Sequence, residues 1–309
     1  MGYRVVMPAV LTRLALGAAG FLVGSIAAGV AVTESSIRIG RSHRIAPGEH
    51  LAEAAAVKCD AVWEPVEIAA ADGIRLRAWL LTPRAGASQA VLVQHGLASN
   101  RHGILSIATM LLRNGYRVLT PDSRGHGASG GDLVTFGIHE SEDMRRWSQW
   151  LRETHGAKAV YALGESLGAA TALQSLGERA PFEAVVAECP FAAFPPIVYY
   201  RLGWRMGLPQ EWTAILSPVI ETAFAYTRLR YRLDLRLASP LDAVTRARVP
   251  ILLIHGVSDV NIPPEDSRRL AACNRKFVEL WEVPGAGHAD AFDVAPVEFE
   301  RRVLRLFRR

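Results

Sequence analysis

Five residues, Gly164-Glu165-Ser166-Leu167-Gly168, constrain the fold of this chain more than any other stretch. Residues 157–163 before them form an apolar run of strand length, and 169–174 after them are good helix formers. A strand that becomes a helix over so few residues must bend sharply. Glycines on either side of Ser166 remove the Cβ atoms that would collide with neighbouring backbone. Strand, Gly-x-Ser-x-Gly and helix in that order predict a nucleophile elbow, with the Ser166 Oγ held at the carboxyl edge of a sheet. The following helix aims its free N–H groups at the same place, where they favour developing negative charge.

The chain has 309 residues, half of them apolar, which suits one α/β domain of about 250–280 residues with an appendage. The formal charge of +5 is dispersed, with no basic stripe interleaved with aromatics, so nucleic acid is not an expected partner. Cys59, Cys189 and Cys273 are odd in number and far apart, which argues against a disulfide framework and any Cys-x-x-Cys metal or redox site.

Residues 14–33 carry no charge and follow Arg4 and Arg13. Twenty helical residues reach about 30 Å, the thickness of a hydrocarbon core. The run is longer than the apolar region of a cleaved signal peptide, and it lacks the polar face of a soluble helix. It predicts a transmembrane helix retained on the mature protein. Secretion after cleavage near Gly29-Val30-Ala31 is the alternative. Arg4 and Arg13 argue for a cytoplasmic N-terminus with the main domain outside, while Arg38, Arg41 and Arg44 argue for the reverse. A short tail before an apolar run also resembles an export signal, so the extracytoplasmic domain is the expectation and a cytoplasm-facing one the alternative. Residues 1–33 read as an anchor or signal segment, 34–61 as a linker with a short helix near 51–57, and 62–309 as the main domain.

Strands are predicted over 62–70 and 74–81, joined by an Ala71-Asp72-Gly73 turn, then over 90–94, 116–120, 157–163, 183–188, 250–254 and 276–283. Helices are predicted over 104–113, 139–154, 264–273 and 295–309, besides the one that follows the elbow to about residue 179. This alternation implies a mostly parallel sheet with helices on both faces. Residues 191–239 break the pattern. Phe194, Tyr199, Tyr200, Trp204, Trp212, Phe224, Tyr226 and Tyr231 crowd there among Pro195, Pro196, Pro209 and Pro218. The stretch is too long for a loop and predicts an inserted helical cap that walls an apolar pocket.

Two later loops carry candidate chemistry. His255-Gly256-Val257-Ser258-Asp259 sets Asp259 at the carboxyl end of a strand, where an acid can orient a base. Pro284-Gly285-Ala286-Gly287-His288 follows the last strand and lets His288 reach over the sheet edge. Glu188, also at the end of a strand, is the second candidate for the acid. His95-Gly96-Leu97 offers the Leu97 N–H to an oxyanion, with the Leu167 N–H as its partner, and His95 orders that loop. The segment from Asp122 to Ser129 lacks the lysine and hydroxyl pair of a phosphate cradle, and Asp122 is expected to pair with Arg124 to brace it. Cys189 reads as a core residue.

From residue 62 onward the chain resembles the serine hydrolases of the α/β-hydrolase superfamily. The elbow carries that resemblance, with the order nucleophile, acid, histidine, the block Asp122-x-Arg124-Gly125-His126-Gly127-x-Ser129 and the tail Gly285-x-Gly287-His288. Within the superfamily the pattern is similar to a membrane-anchored, lysophospholipase-like or esterase-like subgroup. The resemblance implies two-step acyl transfer to water. Ser166 would be the nucleophile, His288 the base and Asp259 the orienting acid, with Leu97 and Leu167 N–H forming the oxyanion hole. Gly164 and Gly168 would shape the elbow, and neither a metal nor an organic cofactor is called for. The implied substrate is a small-molecule or lipid ester, or a thioester. A serine peptidase or acyltransferase would use the same triad, and a silent scaffold on this fold would have lost a triad member. The oligomeric state is not legible in the sequence.

Overall fold

The computed structural model of the chain describes residues 6–38 and 48–308. Arg4, Arg41 and Arg44, named above for membrane orientation, lie outside them. Among the described residues eight strands make one sheet: β1 (Ala61–Ala69), β2 (Arg75–Pro83), β3 (Gln89–Gln94), β4 (Arg117–Pro121), β5 (Ala159–Glu165), β6 (Val185–Glu188), β7 (Ile251–Gly256) and β8 (Val278–Val283). Their order across the sheet is β1-β2-β4-β3-β5-β6-β7-β8. β2 runs antiparallel to β1 and β4, and the remaining neighbours are parallel. The helices are α1 (Val6–Ile37), α2 (Glu49–Lys58), α3 (Leu105–Arg113), α4 (Glu140–Glu153), α5 (Leu167–Ser175), α6 (Phe194–Arg205), α7 (Ser217–Tyr231), α8 (Pro240–Arg246), α9 (Pro264–Cys273), α10 (Ala291–Val294) and α11 (Pro296–Phe307).

The central strands read as unbroken apolar runs because both faces of the sheet are covered. In β3, Val91 and Val93 face a core shared with Ile107 and Leu111 of α3 and Phe299 and Val303 of α11. Ala90 and Leu92 face the opposite core, with Met144 and Trp147 of α4 and Ala172 and Leu173 of α5. The predicted helix over 139–154 therefore buries the face its spacing marks. The final helix, expected over 295–309, spans Pro296–Phe307. It is preceded by the separate short α10, because Pro296 opens a new first turn.

Two compact units divide the chain: Arg38–Ile197 with Arg236–Arg309, and Met1–Ile37 with Val198–Leu235. The first holds the sheet. In the second, α1 runs on to Ile37 and packs along α7. Its buried residues Ser25, Gly29, Thr33 and Ile37 recur every fourth position, so they line one stripe. A Cβ on Gly29 would stand 2.8 Å from the Val219 carbonyl O, so glycine there sets how closely the helices approach. Thr33 Oγ1 donates to the Ala223 carbonyl O at 3.3 Å, and Glu34 accepts from the hydroxyls of Tyr226, at 2.9 Å, and Tyr231. The partners rise in number together, so the two helices are parallel. Trp204 is 53% and Trp212 63% exposed, whereas Phe224 is buried.

Candidate active site

β5 ends at Glu165, and α5 begins at Leu167. Between them Ser166 adopts φ +53° and ψ −114°, in the left-handed region. The bend is possible because of its glycines. A Cβ on Gly164 would lie 2.4 Å from the Gly168 backbone, and one on Gly168 would lie 2.3 Å from the Gln94 carbonyl O. The Ser166 N–H donates to the Glu188 carbonyl O at 2.8 Å, which ties the bend to the end of β6. Such strain persists only where the surroundings hold it in place, as these contacts do.

The structure brings Ser166, His288 and Asp259 together. Ser166 Oγ lies 2.8 Å from His288 Nε2, and His288 Nδ1 lies 2.7 Å from Asp259 Oδ2. Asp259 is buried, and its Oδ1 accepts from the N–H groups of Asn261 at 2.8 Å and Ile262 at 3.0 Å. Burial alone would raise its pKa, but hydrogen bonds from His255 and His288 hold the carboxyl well below the usual carboxylate range. It is an anion beside a half-buried imidazole, the arrangement that stabilises an imidazolium when one forms. The His288 loop is pinned from below. The Gly287 N–H donates to Asp290 Oδ1 at 2.7 Å, and a Cβ on Gly256 would stand 2.0 Å from the Gly287 carbonyl O.

The loop after β3 abuts the serine: a Cβ on Gly96 would stand 3.3 Å from Ser166 Cβ. His95 sets its peptide planes. The Ser123 N–H donates to His95 Nε2 at 3.0 Å, so Nδ1 carries the proton and donates to the Gly96 carbonyl O at 2.8 Å. In a trans peptide the C=O and the following N–H point opposite ways, so tying down Gly96 O turns the Leu97 N–H away from His95. Burial, with His126 alongside, pushes the His95 imidazole down to about 3, so it stays neutral. Leu167 N–H is in the first turn of α5, where helical N–H groups lack an intrahelical acceptor.

One expectation fails and one alternative is not met, while Cys189 is the core residue its sequence context suggests. Asp122 does not pair with Arg124. Arg124 instead makes a two-pronged bond to Asp143 at 2.7 Å and reaches Asp72 at 2.8 Å, while Asp122 Oδ1 accepts from the Arg101 N–H at 2.9 Å. Glu188 is not brought to His288 as a rival acid. Its Oε1 accepts from the Ala291 N–H at 2.9 Å, and burial pushes its carboxyl up to about 7. Buried Cys189 sits against the His288 loop, accepting from the Ala289 N–H at 3.5 Å, and burial raises its thiol pKa far from a reactive range. Among the described residues, Cys189, Asp259 and His288 are the group with metal-ligand spacing, within 4.8 Å of one another, and two of them already hydrogen-bond to each other. Sequence reasoning passed over His255, buried on β7 with Nε2 3.3 Å from Asp259 Oδ2. Its spacing of four residues from Asp259 was the one available sign.

A model of the family described as alpha/beta hydrolase fold matches residues 89–225. The chain is 31% identical over 223 residues to an uncharacterised protein of Mycobacterium tuberculosis, covering 71% of this chain and 70% of that protein. It is 30% identical over 205 residues to YqkD, an uncharacterised protein of Bacillus subtilis, covering 65% of each and thus just under two thirds of that relative. A solved esterase from Pyrococcus furiosus is similar at a TM-score of 0.67 and 26% identity, over 82% of this chain and 92% of the esterase.

Proposed function

Because the chain belongs to the α/β hydrolase fold family, we propose that it is a serine hydrolase that cleaves carboxylic esters through an acyl-enzyme. One observation carries this reading: the unbroken line of hydrogen bonds from Ser166 Oγ through His288 to Asp259. His288 Nε2 takes the serine proton as Oγ attacks the ester carbonyl carbon. The carbonyl oxygen becomes an oxyanion and is met by the Leu97 and Leu167 N–H groups, each donor worth about 3–4 kcal/mol of barrier. His288 then returns the proton to the leaving alkoxide. Water repeats the sequence on the acyl-serine and frees the acid. Asp259 holds the imidazole in the Nδ1–H tautomer throughout.

The substrate we favour is a neutral ester with an apolar acyl group, small or lipid-like. The similarity to an esterase and the aromatic content of residues 191–239 support that choice. The same reading keeps the protein at a membrane through α1, whose Leu16–Ile37 stretch contains an 18-residue window with a mean hydropathy of 1.9. The test is a fluorophosphonate probe with p-nitrophenyl esters of graded chain length and matched peptides. Labelling at Ser166, lost in Ser166→Ala together with ester turnover, is expected. Undiminished esterase activity in Ser166→Ala would remove the proposal, and faster turnover of peptides than of every ester would turn it into a peptidase.

A further inference from the structure

The line of hydrogen bonds continues past Asp259. Asp259 Oδ2 meets His288 Nδ1 at 2.7 Å and His255 Nε2 at 3.3 Å. His255 is fully buried in β7, and its bonds fix its tautomer. Nε2 lies 3.0 Å from the Ile262 carbonyl O, which can only accept, so Nε2 carries the proton. Nδ1 must then accept, and the hydroxyl of Ser267 on α9, 2.7 Å away, is its donor. The Nε2–H bonds to Ile262 O, with Asp259 Oδ2, 3.3 Å from the same nitrogen, as its second, weaker acceptor. A serine–histidine pair stands on each side of one carboxylate: Ser166 with His288, and Ser267 with His255.

We propose that His255, held in its Nε2–H form by the Ile262 carbonyl O and the Ser267 hydroxyl, is a positioning residue that restrains the Asp259 carboxylate and limits how much of its charge reaches His288. The inference rests on the hydrolase reading above. Asp259 is an acceptor only, and both its oxygens are already occupied: Oδ1 by two backbone N–H groups, Oδ2 by two imidazoles. A second donor on Oδ2 spreads the negative charge and fixes the oxygen in place. Removing it leaves a carboxylate that binds the His288 proton more strongly, so the base stays protonated to higher pH. The other ionisable groups that act on this pair are Glu188 of β6 and Asp266 of α9 on His255, and Cys189 on Asp259. Glu188 and Asp266 are engaged elsewhere, accepting from the Ala291 and Ala192 N–H groups.

The test is the pH dependence of kcat/KM for a neutral p-nitrophenyl ester in full-length His255→Leu, His255→Gln and, as a bulkier variant without the donor, His255→Phe proteins. His255→Leu removes the donor, and its acid limb is expected to move up by about half a unit to one unit. Its kcat should fall about 3- to 10-fold with little change in KM. Glutamine carries an N–H to where the Nε2–H was, so His255→Gln should return the limb to the wild-type position. An unmoved limb in His255→Leu, even with a lower Tm, overturns the proposal and leaves His255 as packing. Equal shifts in the leucine and glutamine variants overturn it as well, because the donor is then not the cause. If His255→Leu fails to fold, His255→Phe, which also lacks the donor, decides, and an unmoved limb there has the same force. Ser166→Ala in the same assay separates the two readings: retained turnover defeats the hydrolase, whereas an inert Ser166→Ala leaves the limb shifts bearing on His255 alone.

Discussion

Glu165, the residue before the candidate nucleophile, pairs in register with Glu188 on the adjoining strand. Burial, with Glu188 and Asp293 nearby, pushes the Glu165 carboxyl up to about 8. Both acids thus hold protons more tightly in the folded chain than in the unfolded one. The stability they contribute is fully present below the ordinary glutamate pKa and is lost as pH rises through about 7 to 8. Glu165→Gln should therefore melt near the parent at pH 5 but be stabilised at pH 9 by roughly 1–3 kcal/mol. Differential scanning calorimetry at the two pH values would read that as about 2–4 °C per kcal/mol; equal shifts at both would refute it. Ser166, Asp259 and His288 were legible residue by residue because each follows a strand that places it on one edge of a parallel sheet. His255 and Ser267 were not. A histidine within an apolar strand looks like core, and its serine lies 12 residues away on a helix, a pairing that only the packed chain reveals.

The elements depend on close backbone approaches that tolerate no side chain. Gly168→Ala would drive a Cβ to 2.3 Å from the Gln94 carbonyl O, an atom held in β3. It should cost about 2–4 kcal/mol in urea unfolding and lose probe labelling at Ser166. A wild-type unfolding midpoint would show that the bend can relax. Strand and helix identities were readable from periodicity, but strand ends shift by one or two residues and the helix after the elbow stops at Ser175, short of the expected 179. The loop after β4 was misread at the level of partners. The local neighbour Asp122 was the obvious mate for Arg124, yet the guanidinium reaches Asp143 and Asp72, which are 19 and 52 residues away. A buried arginine gains most from a carboxylate that can meet it with both oxygens, and sequence proximity does not supply that geometry.

At the scale of the molecule, the apolar N-terminal run presents two kinds of surface. One face of α1 packs on α7 and the rest of Leu16–Ile37 is largely exposed, with Phe21 at 65% and Val23 at 66%. Alkaline carbonate washing is expected to leave the full chain in the membrane pellet, and release into the supernatant would remove the anchor. A chain beginning at Glu34 lacks Ser25, Gly29 and Thr33. Hydrogen exchange in α7 should then rise by at least about tenfold while β3, β5 and β6 stay protected. Unchanged protection of α7 would mean that the stripe adds nothing. This pairing was illegible because glycines and serines in an uncharged helix serve equally well against lipid and against another helix.

The α1–α7 pairing also has a consequence in time. Thr33 and its acceptor Ala223 are 190 residues apart. At a synthesis rate of about 5–20 residues per second, roughly 10 to 40 s pass between them. For that interval the stripe on α1 has no α7 to receive it. A peptidase that removed the N-terminal helix during those seconds would leave a ribosome to finish a chain whose α7 emerges after its partner has gone.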